Sequence, residues 1–508
     1  MKRFRPLITA MAAAVLLRLP LWLLPGPGRD EAAYAYWAWH PQPFYAPLLQ
    51  ILLRLAERLP LAPLLQLRLP SLVGGFAVLW LVDLRLRRQQ ADRATHWLVL
   101  LAVALCPWQT YTGAILHPDT LLLAALLGAV VAAQRGLALT FSAAMALAAL
   151  AKPTGILLLP VAVLLVGRID PGRSRGRAAL GRIVLALTLL PLALHLKGPM
   201  LRAMAEFGRV DVATGWSWRI LAGLTTVVVT GGPLLWVLAG AGLRQRMSSF
   251  GGKDGPGREA LVSLGLAATL LLVFSAAAVV RGQIKANWVL PAAVLLLPAR
   301  RPAFVDPLRR EGRGLAAILL GLSLLLGGAT ALVFHDPRTI APGERLARSL
   351  HLDYLRVAGR RELRVSPTHR WHEYFGEWRD LGPFVGDLQA AWETLEGPAP
   401  IDWIVSDDYG LASQVAWYQR HHRPRTGHRA GPTLVLIGDG LYHQSAEALQ
   451  SAGAPGPLLL LAVQVPVDSL GRSVRRVTPL RTLRHPLTAG VVEVAGGLRT
   501  VQLSASTP

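Results

Sequence analysis

The feature that most constrains this chain is a series of long apolar runs whose connecting loops are basic at every second position. A membrane span needs roughly 20 mostly apolar residues. Candidate spans fall at 7–25, 67–86, 96–115, 119–134, 137–151, 154–167, 183–199, 219–243, 260–280, 286–299 and 315–334, which makes about eleven. Arginine and lysine gather at Lys2, Arg3 and Arg5, at 85–93, at Arg135, at 168–182, at 244–258 and at 300–313. Positive loops stay cytoplasmic, so the N-terminus is expected inside. The connections 26–66, 116–118, 152–153, 200–218 and 281–285 then face the opposite compartment, with everything after 334.

Composition supports the same class. Charged residues make up 16% of the 508 residues and hydrophobic residues 53%, whereas a soluble domain carries about 25% charged residues. The net charge of +23 would suggest nucleic acid in a soluble chain; placed between spans it reads as a topology signal. The one cysteine, Cys106, lies in an apolar run and reads as a small core residue. The first run has the basic start of a signal peptide, but no small-residue cleavage site follows it. It is expected to remain as a helix.

The pattern changes after residue 334. Residues 401–405 read as a strand and 411–420 as a helix, 433–437 as a second strand, and 370–396 as helix-rich with a break around Gly382–Pro383. The expected architecture is an all-α polytopic membrane domain over 1–334 and a soluble, extracytoplasmic α/β domain over 335–508.

Few charged residues face the outer side of the membrane part. Asp30 and Glu31 follow Pro25–Gly26–Pro27–Gly28, and Asp119 opens the fourth span. A carboxylate at a span mouth is costly to desolvate, which points to function. Asp30 and Asp119 could equally cap helices, and Tyr34, Tyr36, Trp37 and Trp39 could form an interfacial belt. Lys152, Arg281 and Lys285 sit at the same level. They could snorkel to headgroups or hold a lipid phosphate. Carboxylates can take a proton from a hydroxyl nucleophile, and cations can hold a phosphate leaving group. Together they suggest group transfer from a membrane-embedded phospholipid donor. A transporter or flippase with about as many spans is the rival reading. Its binding groups would sit at the midplane, often with internal repeats, and none is visible here. A scaffold that has lost activity is a third. No phosphate-binding loop, dinucleotide fingerprint or zinc-protease motif appears, and His421–His422 reads as a surface pair, not a metal site.

Arg29 to Trp39, followed by Phe44–Tyr45–Ala46–Pro47–Leu48, resembles the first outer loop of the C-type membrane glycosyltransferases. The nearest branch is that of the bacterial protein O-mannosyltransferases and aminoarabinose transferases. Arg68–Leu69–Pro70–Ser71, His117–Pro118–Asp119–Thr120, Ala151 to Gly155, Arg281 to Trp288 and the stretch 402–418 are similar to further motifs of that branch, in the same order. The resemblance implies an inverting transferase of the bacterial inner membrane. Its donor would be a monosaccharide on a polyprenyl phosphate and its acceptor a hydroxyl of a lipid, glycan or protein, with no cofactor or catalytic metal. It implies Asp30 as general base, Glu31 as its support or an acceptor-orienting group, and Asp119 as the second acid of the cavity. Lys152, Arg281 and Lys285 would contact the donor phosphate. Tyr34, Trp37, Tyr45, His117, Asn287 and Trp288 would line the substrate. One position departs from the family: Ala46 stands where an acidic or basic residue or histidine is frequent, so a donor or acceptor contact is missing or comes from elsewhere.

Overall fold

The computed structural model describes residues 4–40, 46–169, 176–188, 190, 224, 227–250, 257–281, 286–298, 310–335, 354–358, 361–365, 380–396, 401, 403–406, 409–422, 433–436, 458–462, 477–484 and 491–497. The apolar runs fold into helices, and proline decides where many of them start. In chain order these are α1 (Arg5–Trp22), α2 (Arg29–Trp39), α3 (Pro47–Ala56), α4 (Pro63–Arg88), α5 (Arg93–Ala104), α6 (Pro107–Thr112), α7 (Pro118–Gln134), α8 (Ala138–Ala151), α9 (Pro153–Ile156) and α10 (Leu159–Ile169). Helices α11 (Pro233–Phe250), α12 (Arg258–Arg281), α13 (Ala286–Leu295) and α14 (Arg310–His335) follow. Proline occupies the first turn of α1, α3, α4, α6, α7 and α9, where its missing N–H would have been unbonded anyway.

Proline also breaks the expected spans. The run 96–115 is two helices, because Pro107 disfavours helical geometry at Cys106, which is extended at φ −61° and ψ 121°. For the same reason α8 stops at Lys152, extended at φ −156° and ψ 142° ahead of Pro153. By length and composition four helices among the described residues can cross a membrane: α1, α4, and the segments Arg258–Ser275 and Gly314–Val333. Shorter apolar helices (α5, α7, α8 and α10) occupy four other expected runs. The runs 183–199 and 219–243 lie partly outside the described residues.

The core is built around α7, which packs against α4, α8 and α12. Leu122, Leu123, Leu126, Leu127, Ala129 and Val130 are all buried. Gly74 lets α4 approach closely, since a Cβ there would lie 3.0 Å from Thr120 Cγ2. Small residues at such crossings are the usual device in lipid. The periphery is apolar too: Leu16, Leu164, Leu272 and Leu325 are all exposed. That surface would associate in water and is at home in hydrocarbon, so the chain is a multi-pass membrane protein. At the other end of α4, Arg85 and Arg246 both donate to Glu259 Oε1, at 2.6 and 3.0 Å. They also donate to the carbonyls of Val294, Leu296 and Leu297 at the C-terminal end of α13, so one buried ionic cluster ties α4, α11, α12 and α13.

Beyond α14 the described elements are the antiparallel pair β1 (Tyr354–Ala358) and β2 (Arg361–Val365), then α15 (Gly382–Glu396), β3 (Trp403–Ser406), α16 (Tyr409–His422), β4 (Thr433–Leu436), β5 (Leu458–Ala462), β6 (Val477–Arg484) and β7 (Val491–Gly497). The second sheet has the order β4-β3-β5-β7-β6. β3 is parallel to β4 and β5, while β7 is antiparallel to β5 and β6. Gly382–Pro383 opens α15 instead of breaking a helix, as expected of proline in a first turn. Residues 370–379 lie outside the described residues.

Candidate active site

The site begins where α1 ends. Leu23 and Leu24 close its last turn, and the chain turns through Pro25 to Gly28 into α2. Gly28 is the N-cap of α2, and Glu31 reaches back to accept from the Gly28 N–H at 3.0 Å. The cap of α7 is His117, whose Nδ1 accepts from the Asp119 N–H at 3.3 Å. Neither Asp30 nor Asp119 therefore caps its own helix; each lies at the second helical position. The capping alternative fails for both because proline and glycine move each helix start two residues upstream.

Adjacent carboxylates meet opposite fates here. Glu31 is fully buried. Its Oε1 accepts from Arg68 Nε at 3.2 Å and from the Leu116 N–H at 2.9 Å, and its Oε2 accepts from Gly28 and from an Arg68 terminal nitrogen at 3.2 Å. That fills about the four lone-pair positions of a carboxylate. Arg68, also fully buried, donates further to the carbonyls of Trp22 (3.0 Å), Leu24 (3.1 Å) and Gly26 (2.8 Å). Glu31 and Arg68 thus fasten the end of α1, the turn, α4 and the entry to α7 together. Asp30 is half-buried. Among the described residues its hydrogen-bond partner is Tyr409, whose hydroxyl donates to Oδ1 at 2.7 Å.

A second group adjoins the first. Lys152 Nζ donates to Asp119 Oδ1, and both side chains are buried. The break between α8 and α9 delivers the lysine: Pro153 ends one helix and starts the next, with Lys152 extended between them. His117 Nδ1 lies 3.2 Å from Asp119 Oδ2. Ser71 Oγ accepts from the His117 N–H at 2.8 Å. The rings of Tyr34 and Tyr111 stand 6.5 and 6.0 Å from the His117 ring. Burial holds the His117 imidazole below its ordinary value; Asp119, and more weakly Asp30 and Glu31, pull it up, and Lys152 pushes it down. The imidazole therefore senses both acidic motifs at once. With Glu31 bonded to Leu116, the residue before His117, the two motifs form one connected cluster.

Of the remaining expected site residues, Trp37 is buried against Tyr34, edge-on at 5.5 Å. Asn287 is half-buried in the first turn of α13. Arg281 ends α12, but its side chain and that of Trp288 are outside the description, and Tyr45 and Lys285 fall wholly outside the described residues. Ala46 is buried with φ 48° and ψ 53°, a left-handed conformation unusual for a residue with a side chain. Its methyl offers no polar contact.

Sequence reasoning assigned no role to Arg68, Ser71, Tyr409 or Gln414. Arg68 had a signal, as a lone charge near the start of an apolar span. Ser71, Tyr409 and Gln414 lie inside stretches that resemble the family, but nothing local shows what they touch, because their partners are distant in sequence. Helix α16 lies along α2: Gln414 Nε2 donates to the Pro27 carbonyl at 2.8 Å, the Arg29 guanidinium stands 5.5 Å from the Tyr409 ring centre, and Arg420 stacks 4.1 Å over Trp39. Near the far end, Glu57 accepts from Trp39 Nε1 and from Arg420 at 3.5 Å. His421, expected as a surface residue, is half-buried against Trp417 at 4.5 Å, its Nδ1 2.8 Å from the Trp417 carbonyl.

No family model matches the chain, and no curated protein sequence matches it. Solved structures do. The crystal structure of ArnT from Cupriavidus metallidurans in the apo state aligns with a TM-score of 0.53 at 16% identity, covering 96% of this chain and 97% of that one. The same protein bound to undecaprenyl phosphate aligns with a TM-score of 0.55 at 15% identity and the same coverage. At this identity the likeness concerns the fold, and it runs through almost the whole length of both chains. The fold shared with ArnT agrees with the fold expected from the sequence resemblance.

Proposed function

We propose that this chain is an integral membrane glycosyltransferase that moves a monosaccharide from a polyprenyl-phosphate donor to a hydroxyl acceptor at the extracytoplasmic face, with inversion. The observation that carries the reading is the contrast within one cluster. Glu31 is saturated by Arg68 and two backbone N–H groups, and Asp119 is fully buried with Oδ1 held by Lys152, while Asp30 is half-buried and keeps Oδ2 without a partner among the described residues. A base must be reachable by its substrate, and Asp30 meets that demand. In the proposed step the acceptor hydroxyl gives its proton to Asp30 Oδ2, and its oxygen forms the new bond to the anomeric carbon. The bond from that carbon to the phosphate oxygen breaks, and its electron pair leaves with the phosphate.

Of the three cations the sequence points to, Lys152 is the one whose side chain the structure describes, buried against Asp119. It would hold the donor phosphate with Arg281 and Lys285, exchanging part of its contact with Asp119 for the incoming anion. Tyr34, Trp37, Tyr45, His117, Asn287 and Trp288 would line the sugar and acceptor. Fold likeness to ArnT, solved with undecaprenyl phosphate, supports a polyprenyl-phosphate partner. Residues 1–334, with about eleven spans and a cytoplasmic N-terminus, would form the catalytic domain in the bacterial inner membrane. Residues 335–508 would form the periplasmic α/β domain.

The test compares lipid and glycan extracts, by mass spectrometry, from cells with the wild-type chain, with Asp30→Asn and with neither. Gain of one hexose or pentose unit only with the wild-type chain is the expected result. An equal gain with Asp30→Asn would remove Asp30 as the base. A transporter would move the lipid-linked sugar and add no such mass.

A further inference from the structure

The carboxylate proposed as base is touched by a residue from far along the chain. Tyr409, at the N-terminus of α16, donates its hydroxyl to Asp30 Oδ1 at 2.7 Å. The contact is built, not incidental. A Cβ at Gly410 would fall 2.0 Å from Arg29 Nε and 2.8 Å from Arg29 Cβ, so only glycine lets α16 come this near α2. Gln414, one turn further, bonds the Pro27 carbonyl, and Arg29 covers the Tyr409 ring. Tyr418 on the same helix accepts from the Leu381 N–H at 3.0 Å and donates to Asp380 at 3.0 Å, which anchors α16 to the start of α15.

We infer that Tyr409 is a positioning residue for the transfer reaction: its hydroxyl fixes Oδ1 of Asp30 and so aims Oδ2 at the acceptor. This rests on Asp30 being the base. The logic is that of any base oriented by a third group. A carboxylate free to rotate about χ2 presents its oxygens over a wide arc, because that torsion is broad. One charge-assisted hydrogen bond to Oδ1 removes this freedom and leaves Oδ2 open. The phenol keeps its own proton throughout; the proton that moves is the acceptor's. The segment after the spans thereby supplies part of the site.

The variant Tyr409→Phe deletes one oxygen and keeps the ring under Arg29. The assay is the initial rate, in membranes from cells making each variant, at which the product mass added by the wild-type chain accumulates. A hydrogen bond to a charged group of this kind corresponds to a loss of about ten- to a hundred-fold. The purified variant should keep the melting shift that undecaprenyl phosphate gives the wild-type chain, since donor binding does not use the hydroxyl. Gln414→Leu cuts the Pro27 contact of the same helix and spares the hydroxyl, so its rate should stay within about two-fold, far short of one hydrogen bond's worth. A Tyr409→Phe rate within about two-fold of wild type overturns the inference. So does an equal loss in Gln414→Leu, which would make docking of α16 the cause, or disappearance of the melting shift in Tyr409→Phe. If Asp30→Asn works at the wild-type rate, the base reading itself fails; if Asp30→Asn is dead and Tyr409→Phe is fully active, only this inference does.

Discussion

Replacing Arg68 by methionine should weaken the protein more than almost any other single change near the site. The side chain is fully buried and makes five hydrogen bonds: two to Glu31, and one each to the carbonyls of Trp22, Leu24 and Gly26. Methionine roughly fills the volume but leaves a buried carboxylate with no cation. Removing one partner of a buried ion pair costs about 3–5 kcal/mol, and each orphaned carbonyl adds about 1 kcal/mol or more. A total of about 6–8 kcal/mol corresponds to a fall of about 5–10 °C in melting midpoint for a chain this long. The midpoint is read from the fraction of detergent-solubilised protein still monodisperse on size exclusion after heating. The decisive comparison is Arg68→Met with Glu31→Gln. Most of the single-variant penalty comes from an uncompensated charge, so neutralising Glu31 in that background should recover about 2 kcal/mol. A single variant that melts at or above wild type, or a double variant that melts below the single one, would refute the argument.

Three further outcomes follow from other contacts. Arg18 is fully buried, lies 5.8 Å over the Phe76 ring, and none of its guanidinium nitrogens has a hydrogen-bond partner among the described residues, so Arg18→Met should raise the melting midpoint of the ligand-free chain by a few degrees; a fall would show that the guanidinium is held by more than the ring. Alanine normally favours a helix over glycine by about 1 kcal/mol, but a Cβ at Gly155 would lie 2.2 Å from the Ala148 carbonyl oxygen, so Gly155→Ala should melt lower, and an unchanged midpoint would contradict that close approach. Because the folded state holds His117 below its ordinary 6.5, its contribution to stability is complete above that value and lost as the pH falls below it. Melting at about pH 5.5 should drop from that at about pH 7.5 by less in His117→Asn than in wild type, and equal drops would count against it.

Much of the membrane part was legible from its residues. Apolar runs and basic loops identify helices without any tertiary information, because lipid demands that every backbone group be bonded within its own segment. The expected run 119–134 became α7 almost unchanged, since His117 and Pro118 are local start signals. By hydropathy the run 96–115 is continuous although Pro107 lies within it, because hydropathy averages over a residue that removes one N–H. The link between α2 and α16 left no trace, because a hydrogen bond across 379 positions has no periodicity to detect.

Asp30 and Glu31 mark the boundary between the two kinds of knowledge. Composition and order place two carboxylates in the first turn after a span, on the face away from the basic loops. That much follows from local chemistry. Which of them is held and which is open depends on what each meets. Neighbours on a helix point about 100° apart, so Glu31 turns inward to Arg68, 37 positions on, and Asp30 turns outward to Tyr409. Only packing of distant elements brings those partners there, and burial and pairing are properties of the assembled neighbours, not of the residue.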